Sequence, residues 1–278
     1  MSSSQATPTE EFSLFSMPMK RTGTSSRRNW LDLPQDVMIL IFSKLDTVDI
    51  LWRAQFVCIY WQQLAHERHL FSSIYLRSEE RSMYLRNEEQ KIPTEGVAKI
   101  LLVEAVNRSC GESVEISMGS PWCNDKLFRY VVHKSKSLKV LRLSMLTGIT
   151  EHGLMEAFKN LPLLEEFEMT YVHCSSEVLK LLGRSCSRLK TLQLQHGSRD
   201  GSRILGYLAL DIAECFPRVQ SLSLTRNIIS RNVLRDILDR CSLLENLYFR
   251  ECYTVKANCD LEKKFLDKFG DFPCLLHY

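Results

Sequence analysis

Five segments of this 278-residue chain repeat one apolar pattern: LKVLRL from Leu138, LEEFEM from Leu164, LKTLQL from Leu189, VQSLSL from Val219 and LENLYF from Leu244. Their starting points are 26, 25, 30 and 25 residues apart. A period of that length marks a stack of strand-plus-helix units, because no single unit can bury its own apolar face. SVEIS from Ser113 and SIYLR from Ser73 read as weaker copies, and helical patterns such as EHGLMEAFKNL and SEVLKLLGRSC lie between the strands. Strands are therefore predicted at Ile74, Val114, Leu141, Phe167, Leu192, Leu222 and Leu247. Side by side at about 4.8 Å, they make a parallel sheet with a face about 30 Å long.

Strand side chains alternate between the two faces of a sheet, so residues between the core leucines point outward. Strand by strand these are Ser113, Glu115 and Ser117; Val140, Arg142 and Ser144; Glu166, Glu168 and Thr170. They continue as Thr191, Gln193 and Gln195; Ser221, Ser223 and Thr225; Asn246, Tyr248 and Arg250. Outward positions must be polar for solubility whether or not anything binds them. Arg142, Glu166, Glu168, Gln193, Tyr248 and Arg250 are the candidate target-binding residues, with Glu166 and Glu168 an acidic centre and Tyr and Arg among the types enriched in binding hot spots. No basic stripe with interleaved aromatics is present, which argues against nucleic acid as the ligand. The 30-residue unit carries an insertion, HGSRDGSR from His196, whose Gly and Ser predict a surface loop.

Ahead of the repeats stands LPQDVMILIFSKL, in which Val37 to Phe42 run apolar without a break. Pro34 is pre-set for a helix start, so a helix is predicted from Gln35 to about Leu45. That helix would be apolar nearly all round, unlike a surface helix with one stripe. In the following stretch Ile50, Ala54, Val57, Cys58, Trp61, Leu64 and Ala65 keep a 3.6-residue period, with Asp46 or Thr47 as N-cap and a break near Gln55. A three-helix module this small buries only about 60% of its unfolded surface. One face of the first helix can sit on Trp61 and Val57; another needs a second protein or the rest of the chain.

The stretch LPQDVMILIFSKLDTVDILWRAQFVCIYWQQLAHERHLF closely resembles the F-box, the motif through which substrate receptors dock onto the Skp-family adaptor of cullin-based ubiquitin ligases. Leu33-Pro34 match its opening Leu-Pro, Ile41 and Leu45 its helical apolar pair, and Val57, Cys58 and Trp61 its V-C-x-x-W signature. Leu70-Phe71 stand where Leu-Trp is usual, and Ile59 replaces the usual basic residue after the cysteine. The resemblance makes Leu33, Pro34, Val37, Ile41, Leu45, Val57, Cys58 and Trp61 the adaptor-binding candidates. Val57 and Leu64 are expected to serve partly as core, while Pro34, Ile41 and Leu45 face the partner. The 20–29-residue L-x-x-L-x-L unit is similar to the leucine-rich repeat, with Asn227 and Cys252 at its usual Asn/Cys position and GITEHGL from Gly148 like the loop-to-helix segment of F-box-linked repeats. Together the two parts resemble the plant family of short F-box/leucine-rich-repeat proteins, in which NWLDLP opens the F-box.

The expected architecture is α/β: a tail over 1–28, a three-helix F-box over 29–72, and a short right-handed solenoid over 73–278 with strands on the concave side and helices outside. The basic residues in KRTGTSSRR, from Lys20, fit a solvated tail or an interrupted nuclear-import signal. Lys plus Arg number 36 against 33 Asp plus Glu, a +3 excess too small for bulk-charge binding to membranes or nucleic acid. Ten cysteines without a C-x-x-C pair, and no signal-peptide pattern, fit a reducing compartment, cytoplasm and/or nucleus, with the thiols as small buried hydrophobes. Cys186, Cys241 and Cys110 are predicted to be packing residues near helix ends. His66 and His69 lack a third ligand, His173-Cys174 lack a third catalytic member, and no phosphate-cradling glycine loop occurs, so neither cofactor nor catalysis is expected. The resemblance implies a substrate-recognition subunit of an SCF-type ligase, partnered by the adaptor, through it a cullin, and a target protein. An F-box scaffold without ubiquitin transfer is the alternative, and a small-molecule sensor a third class, disfavoured because the solenoid is too short to close round a ligand.

Overall fold

The computed structural model describes residues 29–77, 95–119, 122–144, 147–170, 175–195, 211–225, 228–250, 252–254 and 259–269. The chain divides into two compact units between Pro34 and Gln35. In the first, a 3-10 turn over Trp30–Asp32 is capped by Asn29, whose Oδ1 accepts from the Leu31 amide at 3.1 Å. Leu33 is extended (φ −75°, ψ 139°), the conformation that a following proline imposes.

The second unit begins with three short helices: α1 Gln35–Phe42, α2 Thr47–Trp52 and α3 Ile59–Leu64, with a 3-10 turn at Ala54–Phe56 between the last two. The break near Gln55 is thus present, and Asp46 is the N-cap of α2, accepting from the Asp49 amide at 2.7 Å. The first helix ends at Phe42, three residues short of the expected Leu45. Lys44 and Leu45 donate to Ile41 and Phe42 at 3.0 Å in a tight turn, which the extended Asp46 then leaves to start α2.

Seven parallel strands follow: β1 Ser73–Arg77, β2 Glu115–Gly119, β3 Val140–Ser144, β4 Glu166–Thr170, β5 Thr191–Gln195, β6 Ser221–Thr225 and, after the two-residue β7 Ile228–Ile229, β8 Asn246–Arg250. β7 pairs with β9, Tyr253–Thr254, in a separate small ladder. Helices α4 Glu95–Arg108, α5 Asp125–Lys134, α6 Glu151–Phe158, α7 Ser176–Ser185, helical residues 211–215 and α8 Arg231–Arg240 connect successive strands, and α9 Cys259–Phe269 follows β9. The F-box helices followed by a strand–helix repeat are the architecture that the two apolar patterns predict.

The seven strands stand in step, so Ile74, Ile116, Leu141, Phe167, Leu192, Leu222 and Leu247 form one buried row. Burying one such side chain is worth about 1.5–3 kcal/mol. Caps fix where those helices start: Asn124, Thr150 and Ser230 accept from the amides three residues on, at 3.0, 3.1 and 3.3 Å. Successive units are also latched. Asp125 accepts from the amide of Thr150 at 2.8 Å and from its hydroxyl at 2.6 Å, and Gly153 lies so close to that carboxylate that a methyl group there would collide with it. This latch is what the GITEHGL segment encodes.

Cys186 and Cys241 are buried and point their thiols at carbonyls of the preceding unit, Leu161 at 3.4 Å and Phe216 at 3.7 Å. Cys252 does the same toward Leu224 at 3.1 Å. Cys110 departs from expectation. It is exposed and left-handed (φ 51°) because the chain reverses there, with Gly111 also at positive φ, before entering β2. The N-terminal tail, the insertion at His196, His173-Cys174 and Asn227 lie outside the described residues.

No boundary in packing separates the F-box helices from the repeats. α2 packs on β1 and α4, and the Thr47 hydroxyl accepts from the Tyr75 amide at 3.2 Å, occupying a donor on the outer edge of the first strand. Arg108, on α4, donates to the Ala65 carbonyl at 2.7 Å and the Gln55 side chain at 3.0 Å, and lies 6.0 Å from the Phe71 ring centre. None of the described helices is long and apolar enough to cross a membrane.

Candidate docking and target-binding surfaces

In α1, Met38 and Phe42 are fully buried, and Phe42 meets Trp61 edge-on with ring centres 5.3 Å apart. The opposite side is open: Leu40 is 60% exposed, Val37 is exposed, and Ile41 and Leu45 are half-buried. More apolar surface follows at Trp52, Phe56, Val57 (62%) and Ile59 (76%). Val57 therefore does not underlie α1 as expected. It sits on the turn between the 3-10 segment and α3 with its side chain outward, and the core positions are taken by Leu64 and, half-buried, Trp61. Cys58 is half-buried and precedes α3 without capping it through its side chain. In the first unit Leu33 is half-buried and Pro34, Trp30 and Leu31 are exposed.

Sequence reasoning named Val37, Ile41, Leu45 and Val57 on this surface but missed Leu40, Trp52, Phe56 and Ile59. The all-apolar character of α1 was the available signal for Leu40. For Phe56 and Ile59 it was their place at a helix break, where side chains splay outward. Single exposed apolar residues are commonplace, but this many within one short module make it a candidate interaction surface.

The outward face of the sheet is the second surface. Pairing sets Glu115 beside Val140, not Ser113 beside it, so the expected register of β2 is shifted by two residues. Ser113 is fully buried, occupying the place that Leu138 fills in the next unit. Ser117, Ser144, Thr170 and Thr225, expected to point to solvent, are also buried. Gly119 leaves room for Ser144 to lie against it, since a Cβ there would strike the Ser144 side chain.

The exposed part of the face thus narrows to two rows. Its centre is Arg142, whose guanidinium pairs with Glu115 and lies 3.4 Å from Glu166 Oε2 and 3.3 Å from Glu168 Oε2. The acidic centre expected from sequence is therefore built round a cation. Gln193 lies beside Glu168 in register and is half-buried, and Tyr248 ends the row, 57% exposed. The backbone of Arg250 belongs to β8; its side chain lies outside the described residues.

Titration behaviour elsewhere is structural. Glu165, at the entrance to β4, bonds Lys190 at 2.7 Å and sits 3.6 Å from Lys139. The Lys190 hydrogen bond holds its carboxyl below the usual value, opposed by desolvation and assisted by the charges of Lys190 and Lys139. Burial pushes the Cys123 and Cys186 thiols up to about 12, so they are neutral and poor nucleophiles. Among the described residues no group of three or more His, Cys, Asp or Glu is placed to hold a metal ion. A cavity of about 250 Å³ between α5 and α6 is lined by Arg129, His133, Glu156 and Lys159, with Arg129 and Glu156 paired at 2.9 Å.

Comparison with known proteins gives the chain a family. Residues 30–77 match the F-box-like model. Over 85% of its length the chain is 33% identical to the F-box protein SKIP19 of Arabidopsis thaliana, of which it covers 74%. It is 31% identical to F-box/LRR-repeat protein 9 of the same plant, over 95% of this chain and 100% of that one. F-box/LRR-repeat protein 23 is 32% identical over 89% of this chain, which spans only 53% of that longer relative. The chain belongs to the plant F-box/leucine-rich-repeat family. Among solved structures, the Rad7 and Elc1 complex of yeast shares 14% identity over 79% of this chain and 55% of that one, at a TM-score of 0.46, too distant a likeness to add weight.

Proposed function

We propose that this protein is a substrate-recognition subunit of an SCF-type ubiquitin ligase. Its F-box docks a Skp-family adaptor and, through it, a cullin; its repeats hold a target protein near a charged conjugating enzyme, so that transfer follows from proximity. The transfer chemistry belongs to the partners. One observation supports the reading above others: Leu40, Val57 and Ile59 remain more than half exposed although the repeats pack directly on the same module. Apolar surface that the chain leaves open beside its own core is surface for a second polypeptide. Val37, Ile41, Leu45, Cys58 and Trp61 complete the proposed contact on the second unit, the last two partly by shaping it from beneath; Leu33 and Pro34 are the adaptor-binding residues proposed on the first.

Interface energy concentrates in a few anchors, each costing about 2 kcal/mol or more on truncation. Leu33→Ala with Pro34→Ala, and separately Leu40→Glu, are expected to abolish co-purification with a recombinant Skp-family adaptor. Leu40 is exposed, so its variant should keep the wild-type melting temperature. Undiminished adaptor binding by either folded variant overturns the docking reading. Recovery of cullin with the adaptor from plant extract separates a receptor from a scaffold that holds the adaptor alone.

A further inference from the structure

The central row of the sheet face reads, in register, Tyr75, Ser117, Arg142, Glu168, Gln193, Ser223 and Tyr248. Its two ends are exposed aromatic rings, Tyr75 at 45% and Tyr248 at 57%. Its middle is anionic, because three carboxylates, Glu115, Glu166 and Glu168, surround the single guanidinium of Arg142. With three negative charges against one positive, the cluster carries −2, opposite in sign to the +3 of the whole chain.

The carboxylates are not equally engaged. Glu115 and Glu168 have side chains 19% and 16% exposed, whereas Glu166 is 45% exposed and its contact with Arg142 is the longest of the three. Glu166 is thus the acceptor turned toward an incoming cation, with Glu168 behind it. Beyond them Thr191, Gln193, Ser221 and Ser223 offer partly exposed hydroxyl and amide groups and no formal charge.

We propose that this face binds an extended basic segment of a target protein, lying across the strands with a Lys or Arg on Glu166 and Glu168 and an apolar or aromatic side chain against each tyrosine. The proposal rests on the target-binding role given above to the repeats. Strand spacing sets its ruler. Three steps separate Glu168 from either tyrosine, about 14 Å at about 4.8 Å per step, which an extended chain covers in about four residues. The fitting segment is therefore about nine residues long, with its cation central and its apolar residues at the ends. Charge complementarity supplies selectivity and rate, while the aromatic ends supply desolvated area.

The test uses the full chain bound to its adaptor and two labelled nonapeptides. Both have phenylalanine at each end and serine between, and they differ only in the central residue, arginine in one and glutamate in the other. Fluorescence anisotropy should show the arginine-centred peptide binding at least tenfold more tightly than the glutamate-centred one, with the difference shrinking as salt is raised. Glu166→Gln with Glu168→Gln should remove that preference, and Tyr248→Ala should weaken binding several-fold without changing it. Adaptor co-purification and the melting temperature, read on the same samples, separate failure of this proposal from loss of fold or of docking. No binding of the arginine-centred peptide, or a preference that survives the double substitution, overturns it.

Discussion

Gly153 shows how one residue can hold two repeats together. Its missing Cβ lets the Asp125 carboxylate of the preceding unit reach Thr150, and Thr150 in turn caps α6. Gly153→Ala is expected to destabilise the protein by about 1–3 kcal/mol, the usual cost of overpacking, read as a lower urea midpoint with an unchanged slope. Asp125→Ala should cost a similar amount, and the double variant less than the sum, because both act on one latch. The thiols divide by environment. Cys110 is exposed and should react with a maleimide in the native state, whereas Cys123 and Cys186 should react only after unfolding. Both buried thiols stay protonated in the fold up to about 12, while the unfolded chain releases the same protons at about 8.5. Their contribution to stability is therefore complete below the unfolded value and is lost as pH rises between the two. Alkaline unfolding should begin in that window.

Among elements, the junction of α4 with the F-box helices joins the two parts for which the docking and target-binding roles are proposed. Arg108 ties that helix to Ala65, Gln55 and Phe71 from a largely buried position, and an ion pair with Glu104, one turn back on α4, orients it. Arg108→Ala should cost about 2–3 kcal/mol, since it strands a carbonyl whose hydrogen bond came from a charged donor. Hydrogen exchange should locate the loss in α2 and α3 rather than in β3 to β6. At the strand entrances the ladder of Lys139, Glu165 and Lys190 works by charge. Glu165 has a depressed carboxyl pKa, so its support is present above the unfolded-state value and fades as pH falls through the folded one. Glu165→Gln should flatten that acid limb of the stability profile and leave the alkaline limb unchanged.

At the scale of the molecule, the F-box is also the lid on the sheet's first edge. A parallel sheet with an unpaired outer strand is a template for edge-to-edge association. Here α2 lies on β1, and Thr47 accepts the Tyr75 amide that would otherwise face solvent. A chain starting at Ser73 should therefore aggregate or self-associate in light scattering, and supplying the repeats without their docking module should fail as a strategy for target binding. The two activities proposed for this protein are coupled through one continuous core, although the residues that would carry them lie on different faces.

Periodicity is a property of sequence, and so the row from Ile74 to Leu247, save its β2 member, the helices between its members and the apolar excess of α1 could be read before any coordinates; that member, expected at Val114, is Ile116, and Val114 is exposed. Each follows from residue spacing alone, because strand and helix have fixed repeats and apolar side chains must share a side. The register of β2 could not be read that way. SVEIS fits the alternation starting from Ser113 or from Glu115, and only pairing with β3 put Ser113 inside. Nor could spacing show that Val57 turns outward while Trp61 takes the place beneath Phe42, or that Arg142 sits amid three carboxylates drawn from two neighbouring strands. Local pattern determined the apolar side of most units and how many strands there are. Which polar groups meet across units, and which apolar groups are left uncovered, was decided by tertiary packing, because those contacts join residues about 25 positions apart whose encounter no local rule encodes.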